Sequence, residues 1–399
     1  MNTALKHWKE AATLILVAGH RPVPDGLSRT PLAVAGSNRG RSPGPPPLPH
    51  RFDYDVLMLK RSHKSGFMPN AYVFPGGTVD SSDFSSEWLD IFKHVRNFPN
   101  FAVASVKQPL ETRPPIFATD RLKLGSPIPG EVAFRICALR ETFEESGVLL
   151  AVSPPGETGC IPGTDFSCAT NEGLNNNLNG LCNKELMKWR TLVNQNPSNF
   201  IRMCRELEIL PNIWALHEWS NWLTPKARYG SRRYDTVFFI CCLQETPATL
   251  QDEKEIVCFQ WSTPSEVLQT FHAKKFWIAP PQYYELSRMC RLPRMSDLHK
   301  FSIQRAQEGC EQYLPVVVQK EQSMSLLPGD RLYPRSTSED AKMNKSTDLP
   351  QEDPPDCGLH RMLLLDSYTI NIQINITPKH SHLVPVVGQA IPCDLHSKC

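Results

Sequence analysis

Glu141, Glu144 and Glu145 stand within five residues of one another in the stretch R-E-T-F-E-E-S-G-V, positions 140 to 148. On a helix, positions i, i+3 and i+4 occupy neighbouring parts of one face. Carboxylates held that closely repel and raise one another's pKa unless a cation intervenes. Mg²⁺ or Mn²⁺, which take oxygen ligands in octahedral geometry, would resolve the conflict. The pattern E-x-x-E-E also occurs on many plain solvated helices, so these residues alone leave both readings open.

The segment that must present them is the clearest helix in the chain. From position 131 to 146, apolar residues fall at Val132, Ile136, Leu139 and Phe143, in steps of four, three and four. Those steps mark one helix face. Gly147 is placed to end the helix in a left-handed conformation. Upstream, V-F-P-G-G-T-V-D closes a strand predicted over 71–74. Gly76 and Gly77 there permit a tight turn and close approach of backbone to a ligand.

Further strands are predicted over 11–19, 55–61, 222–225, 234–243 and 256–261. Helical pattern covers about 184–207, a helix starting at Thr263-Pro264, and about 281–313. Strands alternate with helices, so the fold class is α/β or α+β. Residues 21–50, 81–130 and 151–183 read as loop insertions, rich in proline or in glycine, asparagine and serine. The second holds a short helix near 88–95. After about position 328 the chain turns polar and reads as disordered to about 355. The alternating T-I-N-I-Q-I-N-I that follows reads as a strand or hairpin.

With 43 basic against 41 acidic residues, the chain is not built chiefly to coat nucleic acid or an anionic membrane. Its thirteen cysteines include no C-x2-C pair, which favours reduced thiols in an intracellular compartment. No apolar stretch reaches the roughly 18 to 20 residues of a membrane span. The apolar run behind Lys6 and Lys9 reads as a buried first strand rather than a signal sequence.

The P-G-G turn and the carboxylate helix together resemble the Nudix box, G-x5-E-x7-R-E-U-x-E-E-x-G-U with U apolar. Its second half matches from Arg140 to Val148, with Thr142 at an apolar position. Gly77 fits the opening glycine, yet about fifty residues separate it from the helix. Strict backward spacing lands on Ser126 and Val132, with Glu131 one place off. The box therefore reads as split by an insertion. Longer phrases, among them H-K-S-G-F-M-P-N-A-Y-V-F-P-G-G, I-W-A-L-H-E-W-S-N-W-L-T-P and R-R-Y-D-T-V-F-F-I-C-C-L, are similar to the peroxisomal acyl-coenzyme A diphosphatases of the Nudix superfamily. The similarity spans about residues 8–330.

That resemblance implies a Nudix-type α/β/α sandwich over 8–270; the residue patterns beyond it give a helical extension over 271–328 packing on it and a largely flexible tail over 329–399 with a short strand pair. It implies Mg²⁺ or Mn²⁺ as cofactor, with Glu141 and Glu145 as ligands, Glu144 next, and one of the three open as the base. Arg140 would orient Glu144 by an ion pair, and Glu253 or Glu255 could add a ligand. The substrate would be a small molecule, coenzyme A or an acyl-CoA ester, cleaved to 3′,5′-ADP and (acyl-)4′-phosphopantetheine. Gly76 and Gly77 would approach it. Arg61, His63, Lys64, Arg232 and Arg233 are the candidates to meet its 3′-phosphate, each also readable as a solvated loop charge. His217, the tryptophans at 214, 219 and 222, and Cys241 with Cys242 read as packing.

No specific nucleic-acid partner and no membrane span are expected. The peroxisome is the expected compartment, with its import receptor as a partner and the cytoplasm or mitochondrion as alternatives. The chain ends S-K-C, where import commonly reads an S-K-L-like tripeptide, and carries an internal S-H-L at 381–383. Two other functions fit the same box: hydrolysis of another nucleoside diphosphate-linked substrate (a nucleotide sugar, dinucleotide or capped RNA), or diphosphate binding without cleavage.

Overall fold

The computed structural model describes residues 8–20, 52–66, 68–154, 183–225, 233–247, 256–319, 323–334 and 358–387. Strands β1 (Lys9–Gly19), β2 (Tyr54–Arg61), β3 (Ala71–Val73) and β4 (Gly76–Thr78) come first. The single-turn helices α1 (Trp88–Ile91) and α2 (Pro115–Ala118) precede the long α3 (Gly130–Ser146). Next come β5 (Ala151–Val152), α4 (Asn183–Gln195), α5 (Asn199–Glu206), β6 (Leu210–Pro211), β7 (His217–Leu223), β8 (Tyr234–Leu243) and β9 (Ile256–Ser262). They are followed by α6 (Pro264–His272), β10 (Trp277–Ile278), α7 (Pro280–Met289), α8 (Met295–Ala306) and β11 (Gln312–Tyr313). The last strands are β12 (Val316–Gln319), β13 (Ser323–Leu326), β14 (His360–Asp366) and β15 (Thr369–Ile374).

A nine-stranded mixed sheet runs β10-β3-β2-β1-β8-β7-β11, with β4 beside β1 and β9 beside β2. Its centre is the parallel pair β1 and β8, in register from Lys9↔Tyr234 to Ala18↔Leu243. Both strands are buried on both faces, which is why they read as continuous apolar runs. Leu14, Leu16, Phe239 and Cys241 join the layer containing α3, α4 and α5. Ile15, Val17, Ile240 and Cys242 join the layer containing α6, α7 and α8. The result is an α/β/α sandwich.

Local signals set the helix ends. Thr263 caps α6 in a capping box with Glu266, and Pro264 occupies the first turn, where no N–H is needed. Gly147 ends α3 at φ 74°, its N–H donating to the Phe143 carbonyl at 2.9 Å. Pro197 separates α4 from α5, so the helical stretch predicted over 184–207 is two helices.

The stretch 81–130 is not loose chain. Phe84, Trp88, Phe92, Phe101 and Phe117 pack into the layer beneath α3. Buried ion pairs, Arg121 to Glu10 at 2.8 Å and Arg113 to Glu218 at 2.9 Å, pin it to the sheet. Other expectations need correction. The helical pattern over 281–313 holds α7, α8 and the strand β11, and the strand placed at 222–225 begins at His217. The insertions at 21–50 and most of 151–183 lie outside the described residues.

The largest correction is at the C-terminus. Strands β12, β13, β14 and β15 form a four-stranded antiparallel sheet, where a helical extension ending at 328 and a largely flexible tail with a short strand pair were expected; β14 and β15 are such a pair. Two of its strands have four residues each, too short to show a period, and the one that joins them to the rest of the sheet, β14, lies beyond the polar stretch. Met362, Ile370 and Ile372 bury this sheet against the α7 layer. The internal S-H-L is likewise built in. His382 Nε2 meets the Trp219 carbonyl at 3.1 Å, and the Leu383 carbonyl accepts from Arg288 Nε at 3.0 Å. Among the described residues, no helix is long and apolar enough to cross a membrane.

Gly147→Ala should destabilise the chain by about 1 kcal/mol, because a Cβ is strained in the left-handed region. Thermal unfolding should show a midpoint lowered by about 1–2 °C. An unchanged midpoint would contradict the capping role.

Candidate active site

Arg140 leaves α3 as a buried guanidinium, 2% exposed. Its Nε and Nη2 each reach a carboxylate oxygen of Asp83 at 2.9 Å. Its Nη1 donates to Glu141 Oε1 at 2.9 Å and Glu144 Oε1 at 2.8 Å, and Nη2 also donates to the Thr78 carbonyl at 3.2 Å. Burial works against the charged guanidinium, but Asp83 and then Glu141 hold its pKa well above the ordinary arginine value. Removing one partner from a buried pair of this kind costs about 3–5 kcal/mol.

Asp83 was missed in the sequence, although the signal was there. Five residues separate Gly77 from Asp83, the spacing of the glycine and first acidic residue in the box, with aspartate replacing glutamate. The first half of the box is therefore contiguous, and the insertion begins after it. A tight turn places Asp83: Asp80 caps it by accepting from Ser82 N at 2.8 Å, and Asp83 Oδ2 accepts from Asp80 N at 2.9 Å. Glu131, the displaced candidate, bonds Arg113 and Asn100 instead. At 1.5 Å per residue it lies about 15 Å along the helix from Glu141.

The glycine turn touches the same cluster. Gly76 N donates to Glu145 Oε2 at 2.9 Å. A Cβ on Gly76 would lie 2.5 Å from the Ala12 carbonyl oxygen of β1. One on Gly77 would overlap the Glu141 carboxylate, so only glycine lets turn and helix meet. At the far end of α3, Arg190 of α4 donates to the Glu144 and Glu145 carbonyls at 2.9 and 2.8 Å. A cation there complements the negative end of the helix dipole.

Glu141, Glu144 and Glu145, with Asp80, line one wall of a cavity of about 600 Å³. Burial pushes Glu144 up to about 7; Arg140 pulls it down, and Glu141 pushes it up again. Carboxylates thus outnumber the lining cations, Arg61 and Arg140, and this oxygen-only donor set suits a hard divalent ion. Among the described residues, no three such side chains yet converge as a finished cage, since each glutamate is turned toward a protein donor. The fit is one of donor chemistry and charge.

The other predicted site residues separate clearly. Gly76, Gly77 and Arg61 line the cavity, and Arg61 Nη2 donates to Ser65 Oγ at 2.7 Å. Arg233 instead stacks over the Trp8 ring, 3.3 Å from its centroid, and His63 and Lys64 are exposed and do not line the cavity. Arg232, Glu253 and Glu255 lie outside the described residues. Burial pushes His217 down to about 3, next to His299, so it stays neutral. Cys241 and Cys242 are buried on opposite faces of the sheet, and burial raises both thiols, Cys241 to about 12. Trp222 both packs and lines the cavity, and the C-terminal sheet adds Val317, Ser325 and Met362.

An α/β/α sandwich whose glycine turn is wedged on a helix, with a buried arginine gathering its carboxylates, defines a Nudix domain. The chain belongs to the NUDT19 family: residues 8–289 match the NUDT19 Nudix domain and residues 316–375 the NUDT19 C-terminal domain. It is 46% identical to the protein named acyl-coenzyme A diphosphatase NUDT19 of Xenopus laevis, over 97% of each chain. The proteins of the same name from Gallus gallus and Homo sapiens are 43% and 38% identical, over 97% of each chain and over 95% of this chain and 94% of the human one. Nudix hydrolases as a class use divalent metal ions.

Gly77→Ala should displace the Glu141 carboxylate while leaving the sandwich folded. Displacements of about 1 Å at a catalytic group cost about 100-fold in rate. Steady-state kinetics should show a loss of that order; wild-type turnover would contradict the wedge.

Proposed function

We propose that this protein hydrolyses the diphosphate of coenzyme A and acyl-CoA esters, releasing 3′,5′-ADP and (acyl-)4′-phosphopantetheine, with Mg²⁺ or Mn²⁺. The observation that carries the reading is the carboxylate set of Asp80, Glu141, Glu144 and Glu145 facing one cavity around a buried arginine. The substrate class is supported by the three full-length relatives, each named an acyl-coenzyme A diphosphatase.

Glu141 and Glu145 would hold the metal, with Glu144 beside them on the same wall. A divalent cation supplies neutralisation of the diphosphate and a lowered pKa for attacking water. Arg140 keeps Glu141 and Glu144 in fixed rotamers, and Gly76 does the same for Glu145. Glu144, with its proton affinity raised by burial, is suited to accept a proton from water near neutral pH. The water oxygen then bonds to one phosphorus, and the bond from that phosphorus to the bridging oxygen breaks. The bare backbone of the glycine turn leaves room for the phosphoryl group beside Glu141.

Residence in the peroxisome, with its import receptor as a partner, is proposed on the sequence resemblance alone. A substrate panel of CoA esters, nucleotide sugars, dinucleotides and capped RNA separates the proposed activity from the other Nudix reactions. With Mg²⁺ or Mn²⁺, the wild type should release 3′,5′-ADP from CoA. Glu145→Gln should retain CoA binding and lose about 100-fold or more in kcat. Absence of 3′,5′-ADP from the wild type would overturn the proposed activity, and equal rates in both proteins would overturn the role of Glu145.

A further inference from the structure

The cavity extends beyond the Nudix box to a wall built by other elements. Val317 of β12, Ser325 of β13 and Met362 of β14 are partners across the C-terminal sheet, in the registers Val317↔Ser325 and Ser325↔Met362. All three line the cavity. Residues in one such transverse row point to the same face of a sheet. Trp222, its indole N–H donating to Glu285 Oε1 at 2.7 Å, gives a further apolar surface.

At the start of α7, Gln282 also lines the cavity. It is 9% exposed, and its Oε1 is buried without a hydrogen-bond partner among the described residues. A buried amide oxygen without a partner is unfavourable, and a donor brought in from outside would satisfy it. Gln282 thus brings an unfilled acceptor to this wall.

The charge distribution separates the two halves of the substrate. The cationic residues in the described lining, Arg61 and Arg140, both come from the Nudix elements β2 and α3. The sheet row, Trp222 and Gln282 contribute no charge. Among the described residues of this wall a 3′-phosphorylated nucleoside finds no counter-ion, whereas the pantetheine arm is uncharged, bears methyl groups beside its phosphate end, and carries amide N–H donors.

We propose that the C-terminal sheet and the start of α7 form the subsite for the pantetheine arm, with Gln282 accepting from an arm amide and the Val317–Ser325–Met362 row covering its apolar face. This rests on the acyl-CoA diphosphatase reading and adds a specificity role for the C-terminal domain. The products report the two halves of the substrate separately, so the test uses them as inhibitors and, by calorimetry, as ligands of the full chain. The variants are Gln282→Leu, which removes an unpaired polar atom and spares the fold, and Val317→Trp, which narrows the subsite from a half-buried position.

Each variant should weaken binding of 4′-phosphopantetheine about 10-fold. Binding of 3′,5′-ADP should stay within about two-fold, and the loss with CoA should fall on KM more than on kcat. Weakened 3′,5′-ADP binding would assign the wall to the nucleotide and overturn the proposal. Unchanged binding of both products would remove the wall from the site and also overturn it. Failure of the wild type to cleave CoA is a separate outcome, which strikes the functional reading itself.

Discussion

The site depends on one buried cation surrounded by more negative charge than it can balance. Arg140 is shared by Asp83, Glu141 and Glu144, while Glu145 is held nearby by Gly76. Burying a guanidinium is unfavourable unless its donors are filled, and the bidentate Asp83 pair fills them. The remaining carboxylates are aimed but not neutralised, and Glu144 rises to about 7 as burial disfavours its charge. A stable fold and an affinity for a divalent cation thus come from the same arrangement.

Everything around the cluster serves to hold it. β1 backs the glycine turn, α4 closes the carboxyl end of α3, and the central parallel pair carries the whole face of the sheet. The insertion that separates the two halves of the box is packed with aromatic side chains and tied by buried arginines to Glu10 and Glu218. It lengthens the connection between Asp83 and α3 without moving the two apart. The C-terminal sheet then adds Val317, Ser325 and Met362 to the lining of the cavity that the carboxylates share.

What was legible in the sequence follows from the reach of its signals. Apolar period showed α3, and continuous apolar runs showed β1 and β8, because these elements are long and buried. The spacing of Glu141, Glu144 and Glu145 put them on neighbouring parts of one helix, and they line one cavity. Asp83 was hidden by substitution, since an aspartate stood where a glutamate was sought, and attention passed to Glu131 because it lay on the helix itself. Half of the C-terminal sheet was hidden for a different reason: strands of four residues such as β12 and β13 carry no measurable period, and the pairing of β13 with β14 crosses a long polar stretch. Arg233 shows the limit of charge counting, for its guanidinium is spent on the Trp8 ring. A basic residue close in sequence to the site need not face it.

The account stands on the claim that the Asp83–Arg140 pair positions a cation-binding carboxylate cluster. Titrating Mn²⁺ into the full chain, read by electron paramagnetic resonance, tests it without reference to turnover. Mn²⁺ should bind the wild type, and Asp83→Asn, with its circular dichroism unchanged, should bind it about 10-fold or more weakly. No Mn²⁺ binding by the wild type, or the same affinity in both proteins, would contradict the account.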